Sequence, residues 1–339
     1  MSASSRPIVA VAMGDPAGIG PEIEIKAAAV EDVYQYCRPL VIGDFGVMEQ
    51  ALSFARVPVK LRQIHSVGEA KFRYGTLDVL DLANVRLSEL KMGQVQATGG
   101  QAFAESARKG VELALAGEVH GVLAGPHNKA SMYAAGWRFD GPGLLAHLTG
   151  VEVGKIAFML CVGPMRVVGV THHASMRQAL DQITRERVLW TIQKAHEGVR
   201  MLGIERPRLA VAGVNPHAGE DGIFGTEEIE IIGPAIQEAR AQGIDAEGPF
   251  PADGIFVGAE EGSYDCYIGM YHDQGHVPIK VLGKRRVAAL MVGAPIVYGT
   301  VGHGTAFEIV GKGVADGASV VEGLKLLAQA ARSRLDASE

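Results

Sequence analysis

The sequence predicts an α/β protein with a mostly parallel sheet and helices on both faces. Two observations carry that expectation. Short apolar runs alternate with longer amphipathic ones from one end of the chain to the other, as strand–helix–strand units require. Forty-four glycines against 6% aromatics point to many tight strand-to-helix turns. At 339 residues and 47% apolar composition the chain can build a sizeable core, with room for roughly two domains of about 150 residues.

The elements follow in order. Residues 8–13 form an unbroken apolar run and read as a buried strand, and 21–30 as a helix opened by Pro21 at its first turn. Residues 40–43 are strand-like, with a helix expected near 45–55. Residues 99–115 space their apolar side chains at helical period, and 120–124 return as a strand. The pattern repeats with strand 166–171, helix 186–201, strand 209–214 and helix 227–241. Residues 267–270 and 276–280 read as apolar strands, and 318–334 as the last helix.

Composition excludes several functions. The formal charge of −6 comes without a long run of either sign, which disfavours a nucleic-acid or polybasic membrane surface. Cys37, Cys161 and Cys266 lie far apart without CxxC spacing, which argues for a reducing compartment and against disulfide or cysteine–zinc scaffolding. The opening residues lack the apolar stretch of a signal peptide, and no run approaches the ~18 apolar residues of a membrane helix. A soluble, cytoplasmic protein is expected.

Two glycine loops stand out. Gly14-Asp15-Pro16-Ala17-Gly18-Ile19-Gly20-Pro21-Glu22 joins the first strand to the first helix. Its glycines allow a sharp turn and close approach to a ligand, and the helix N-terminus offers free N–H groups to an anion. The spacing is neither the dinucleotide GxGxxG nor a phosphate-binding GxxxxGK[ST], and a purely structural turn fits it as well. The second loop, Gly302-His303-Gly304-Thr305-Ala306-Phe307-Glu308, precedes the last helix.

Several histidines sit in polar clusters at strand ends: Thr171-His172-His173, Asn215-Pro216-His217-Ala218-Gly219-Glu220 and Tyr271-His272-Asp273-Gln274-Gly275-His276. Parallel strands point their C-terminal ends the same way, so His172, His217 and His272 could converge. Three imidazoles would favour zinc, cobalt or nickel over magnesium. Each histidine alone is as well explained by a loop carbonyl, and the long gaps carry no local signature. Lys280 is a general acid/base or carboxylate-clamp candidate set against a plain solvated lysine, and Asp253 an acid/base candidate against a turn aspartate. No GxSxG elbow supports serine-hydrolase chemistry.

These motifs, with Gly125-Pro126 and Pro251-Ala252-Asp253 between them, occur in the order that resembles the 4-hydroxythreonine-4-phosphate dehydrogenase (PdxA) family of vitamin B6 biosynthesis, and the resemblance spans nearly the whole chain. It implies a two-domain α/β/α fold of the isocitrate/isopropylmalate dehydrogenase-like type. A first domain would take residues 1–135 plus 295–339 and a second 136–294. It also implies a decarboxylating NAD-dependent dehydrogenase of a small hydroxy-carboxylate, working as a homodimer with the active site at the subunit interface. The implied metal ligands are His172, His217 and His272, with zinc preferred and cobalt, nickel or magnesium as alternatives. Lys280 falls on the family's substrate lysine. The cofactor loop falls on His303, Gly304, Thr305 and Ala306, with Glu308 nearby.

The chain also departs from that family. Its Gly-His-Thr-Glu motif aligns with Gly141-Pro142-Gly143-Leu144, a family asparagine with Ala289 and an arginine with Tyr298. Losing polar partners for a charged group is costly, so a non-phosphorylated substrate is expected. The runs from His272 to Lys280 and from Val301 to Gly304, with Pro126-His127, resemble the family's terephthalate cis-dihydrodiol dehydrogenase branch. The expected reaction is therefore oxidative decarboxylation of a cis-dihydrodiol carboxylate to a catechol. Lys280 would shuttle the proton, Asp253 is the weaker candidate, and Arg285 or Arg286 would hold a second carboxylate. The alternatives are the vitamin B6 enzyme, a dehydrogenase of another hydroxy acid, and a silent binding protein.

Overall fold

The computed structural model describes residues 6–337; the opening segment considered for a leader lies largely outside that range. Twelve strands are present among the described residues: β1 (Ile8–Ala12), β2 (Arg38–Gly43), β3 (Lys60–Ile64), β4 (Thr76–Asp81), β5 (Gly121–Ala124), β6 (Ala157–Val162), β7 (Met165–Gly169), β8 (Arg208–Ala212), β9 (Asp245–Phe250), β10 (Cys266–Gly269), β11 (Ala288–Val292) and β12 (Tyr298–Val301). The chain up to Ile156 and from Ala294 onward forms one unit, and Ala157–Gly293 forms another. Residues 136–156, assigned from the sequence to the second domain, belong to the first unit, where the Trp137 indole N–H donates to Gln101 Oε1 at 2.9 Å.

In the first unit the strands run in the order β3-β4-β2-β1-β5-β12, every neighbouring pair parallel. β1 and β5 are buried throughout, which is why they read as continuous apolar runs rather than alternating ones. Helices Gly20–Ala28, Phe45–Ala55, Ala97–Leu115 and Ala318–Asp336 belong to this unit. Asp44 caps the second by accepting from Val47 N at 3.0 Å, while the first opens on Pro21 without a side-chain cap. Lys26 Nζ ties that first helix to the C-terminal segment. It meets Glu22 at 2.7 Å and donates to the carbonyls of Gly313 and Ala315 at 2.9 and 2.7 Å.

Gly14 ends β1 against Pro126. A Cβ at this position would overlap the Pro126 carbonyl oxygen, which already accepts from Asp15 N at 2.9 Å. The obstruction is backbone, so it cannot rotate away. Gly14→Ala is expected to lower the unfolding free energy by about 3 kcal/mol, in the range of core overpacking, measured by urea unfolding. An unchanged midpoint would show that the loop yields freely.

In the second unit the order is β11-β6-β7-β10-β8-β9. The four strands from β7 to β9 are parallel, whereas β6 is antiparallel to both its neighbours. The sheet is therefore mixed here, because β6 and β7 form a hairpin turning through Gly163 at φ 52°. The core includes Leu160, Met165, Val167, Tyr267, Ile279 and Val287.

One expected strand is a helix. Residues 276–280 lie inside His272–Gly283, which carries Pro278 in its interior. The proline removes one helical hydrogen bond, and Ile279, buried in the core cluster, keeps the helix docked. The helix expected at 227–241 opens with a wide turn, Glu228–Ile232, before Gly233–Ala241. All three cysteines are buried and unpaired by disulfides. No helix among the described residues is long and apolar enough to cross a membrane.

Candidate active site

β7, β10 and β8 are adjacent and parallel, so their C-terminal ends lie along one edge of the second unit's sheet. His172 follows β7 by three residues and His272 follows β10 by three. The two ends are stitched together: Thr171 donates from its backbone N and from Oγ1 to the Met270 carbonyl, at 3.3 and 3.0 Å. Gln274, buried, accepts from Met270 N at 2.6 Å and donates to the Gly213 carbonyl at 2.8 Å, joining the end of β10 to that of β8.

The result is a histidine cluster wider than the sequence indicated. His272 stacks on His276 with ring centroids 3.8 Å apart, and His173 lies 5.7 Å from His272. His172 meets the edge of Phe158 at 6.4 Å. Burial, then the charge of Arg187 and the neighbouring histidines, pulls His172 down to about 4. Burial, then His272, does the same to His276. His172 is therefore a neutral imidazole at neutral pH, the form a metal requires.

His217 is not part of that cluster. It sits in a turn where His217, Ala218, Gly219, Glu220 and Asp221 all have positive φ, from 41° to 84°. Left-handed backbone costs an L-residue about 1–2 kcal/mol, so four non-glycine residues within a run of five must be held from outside. Glu228 does this. Its buried carboxylate accepts from Val214 N at 2.7 Å, Asn215 N at 2.8 Å and Asn215 Nδ2 at 2.9 Å. Burial pushes its pKa up, but those bonds outweigh it and hold the carboxyl below the ordinary range. Gly219 leaves room for this group, since a Cβ there would come within 2.8 Å of Glu228 Oε2. Glu228→Ala is expected to lower stability by about 2 kcal/mol and to free the turn, seen as faster amide exchange at 217–221. Unchanged exchange would remove Glu228 from this role.

His217 and His272 share one arrangement. His217 Nδ1 lies 2.7 Å from Glu220 Oε1, and His272 Nδ1 lies 2.6 Å from Asp273 Oδ1. A carboxylate accepts a hydrogen bond from Nδ1–H, which leaves the Nε2 lone pair available to a metal, the arrangement that orients metal-ligating histidines. The donor chemistry of His172, His217 and His272 thus fits a divalent metal. No group of three His, Cys, Asp or Glu side chains placed to hold one occurs among the described residues.

Lys280 is exposed two turns beyond His272 and one beyond His276, on the same face of helix His272–Gly283. Asp253 is exposed in the loop after β9, and Arg285 and Arg286 are exposed past the helix end. In the first unit the two glycine loops meet. Ile19 N donates to the Thr305 carbonyl at 3.0 Å, and a Cβ on Gly18 would come within 2.8 Å of Thr305 Cβ. His303 donates from Nδ1 to the Gly304 carbonyl at 3.0 Å and accepts at Nε2 from the buried Ser319 hydroxyl at 2.7 Å. Ala306 is left-handed at φ 43°, and Glu308 is exposed.

With this geometry in place, comparison with known proteins is decisive for the family. The profile described as "Pyridoxal phosphate biosynthetic protein PdxA" matches residues 35–327. The chain belongs to the PdxA family. It is an oxidoreductase by that membership. A Clostridium botulinum PdxA relative, provisionally named a D-threonate 4-phosphate dehydrogenase, is 42% identical over 96% of this chain and 97% of its own. A 4-hydroxythreonine-4-phosphate dehydrogenase structure from Burkholderia phymatum is 40% identical at TM-score 0.83, covering 96% of this chain and 98% of its own.

The terephthalate 1,2-cis-dihydrodiol dehydrogenase structure from Burkholderia xenovorans is a more distant PdxA relative. It is 32% identical at TM-score 0.64, covering 95% of this chain and 98% of its own. This ordering overturns the dihydrodiol assignment and the role in aromatic catabolism expected from the sequence. Missing polar side chains at 141–144, 289 and 298 record which contacts are gone. They do not record what replaces them. Pro142 and Gly143 have a local explanation instead: they open helix Gly141–Thr149, which Asp140 caps by accepting from Gly143 N at 2.8 Å.

Sequence reasoning missed Gln274, Glu228 and Ser319. Gln274 stood inside the motif at 271–276 without being assigned a role, and Glu228, thirteen residues beyond Asn215, was visible only as an acid just after a glycine-rich turn.

Proposed function

We propose that this chain is a cytoplasmic, NAD- and metal-dependent dehydrogenase of a 4-phosphorylated hydroxy acid, of the 4-hydroxythreonine 4-phosphate or D-threonate 4-phosphate class. The observation that carries this reading is full-length similarity to relatives with those names, on a chain whose His217 and His272 each place Nδ1 against a carboxylate.

His172, His217 and His272 would hold the metal, and His303, Gly304, Thr305 and Ala306, with Glu308, the adenosine end of NAD. A cation held there would supply Lewis acidity at the hydroxyl β to the substrate carboxylate, and NAD would supply the hydride acceptor. The resulting β-keto acid loses carbon dioxide. Lys280 takes the hydroxyl proton and returns one to the α-carbon, with Asp253 the weaker candidate for this role. The Glu220 and Asp273 carboxylates keep the two imidazoles in one tautomer throughout.

The site is assembled by a homodimer in this reading. His217 lies outside its own chain's histidine cluster, and apolar side chains stand exposed beside both parts. Ile223, Phe224 and Ile229 are 74%, 49% and 57% exposed near His217, and Val277 and Val281 are 56% and 68% exposed on the His272 helix. Patches of this kind mark interfaces.

The test is NADH formation by purified, zinc-loaded protein offered 4-hydroxythreonine 4-phosphate and D-threonate 4-phosphate separately. Turnover of either supports the reading and names the substrate. Turnover of neither overturns it.

A further inference from the structure

We propose that Arg187 is an oxyanion-binding residue that holds the carboxylate or phosphate of the substrate beside His172. This rests on the dehydrogenase reading above and extends it to a residue that the sequence did not single out.

Arg187 lies in the first turn of helix Arg185–Met201, which Thr184 caps by accepting from Arg187 N at 3.2 Å. Its side chain is fixed twice. Nε donates to the Val170 carbonyl at 2.9 Å, two residues before His172, and the guanidinium lies 4.1 Å from the centroid of the Trp190 ring. It is half-buried. The same helix shows what an ordinary surface cation does here: Arg185 pairs with Glu238 at 2.6 Å and Lys194 with Glu197 at 2.6 Å. Arg187 makes no ion pair with any carboxylate among the described residues.

A desolvated charge without a counter-ion is costly. Arg187 is nevertheless held in place by a stack and a tether, and only one of its five N–H groups is used by the tether. The remaining edge suits bidentate recognition of a carboxylate or phosphate. An anion bound there would satisfy the guanidinium and place the rest of the substrate next to a ligand of the proposed metal.

The chain has two tryptophans, which makes the test direct. In a Trp137→Phe background, Trp190 emission reports on its own stacked guanidinium. Inorganic phosphate and acetate are titrated separately. A saturable emission change is expected with at least one of them, lost in Arg187→Met and shifted at least tenfold to higher concentration in Arg187→Lys. Response to phosphate alone assigns a phosphate subsite, and response to acetate alone a carboxylate subsite. No response to either, or an unaltered response in Arg187→Met, overturns the proposal. Should Arg187→Met fail to fold, Arg187→Lys decides, because it keeps the charge while losing the planar fork. On a substrate that the parent protein turns over, Arg187→Lys is expected to raise KM at least tenfold with kcat within about threefold. A parent that turns over neither phosphorylated acid would overturn the dehydrogenase reading, while the anion titration would still judge Arg187.

Discussion

His217→Ala and His272→Ala proteins, each inactive alone, are expected to recover about a quarter of wild-type turnover when equal amounts are unfolded together and refolded. The figure follows from a site that draws His217 from one copy and His272 from the other. Random pairing makes about half of the dimers mixed. Each mixed dimer holds one site lacking both side chains and one site with both, so half of its capacity returns. A site built within one chain gives no recovery, because every chain in the mixture carries a lesion. NADH formation after refolding, against each variant refolded alone, separates the two.

Glu24→Gln is expected to remove one contribution to stability that is lost between pH 5 and pH 8. Glu24 is fully buried beside Gly14 and Gly125, accepts only from Gly14 N at 3.3 Å, and has its second oxygen without a partner. Burial raises its pKa from 4.5 to about 8, opposed only in part by the Gly14 hydrogen bond. The folded carboxyl therefore keeps its proton across a window in which the unfolded one has released it. Its contribution is whole below pH 4.5 and lost as pH rises through about 8. The slope is roughly 1.4 kcal/mol per pH unit, so glutamine should be the more stable residue at pH 8 by on the order of 4 kcal/mol and nearly neutral at pH 5. Glutamine retains the carbonyl that Gly14 N needs. Urea unfolding at the two pH values decides it, and equal slopes in the two proteins would mean that Glu24 ionises freely in the fold.

The elements that were legible in the sequence are those whose surroundings are uniform. β1, buried throughout, had to be an apolar run, and the helix Phe45–Ala55 was read to the residue. Uniform burial was not sufficient, since β11 and β12 are buried throughout and went unread, but two of the unread strands have mixed surroundings. β3, Lys-Leu-Arg-Gln-Ile, and β9, Asp-Ala-Glu-Gly-Pro-Phe, are edge strands whose backbone pairing is specified by their neighbours more than by their own side chains. Helix His272–Gly283 was hidden by Pro278 and by the valine and isoleucine around it, which are local signals for extended chain.

The site divides in the same way. Its candidate residues were proposed from motifs and by family resemblance. What binds them together was not, because it is made of distant pairs: Thr171 with Met270, Gln274 with Gly213, His303 with Ser319. The substrate was misjudged for a related reason. A lost contact can be seen at its own position, whereas a replacement such as Arg187, brought to His172 through a backbone carbonyl, lies elsewhere in the chain.

The turn at 217–221 has a further consequence, one of chirality. Its backbone angles are those that a chain of D-amino acids adopts without strain. Protein assembled by ligation with D-alanine at 218 should therefore retain the loop, whereas the same exchange at Ala235, inside helix Gly233–Ala241, should break the helix. Over these five residues the chain has the hand of its own mirror image, and the residue best suited to it is one that the ribosome does not supply.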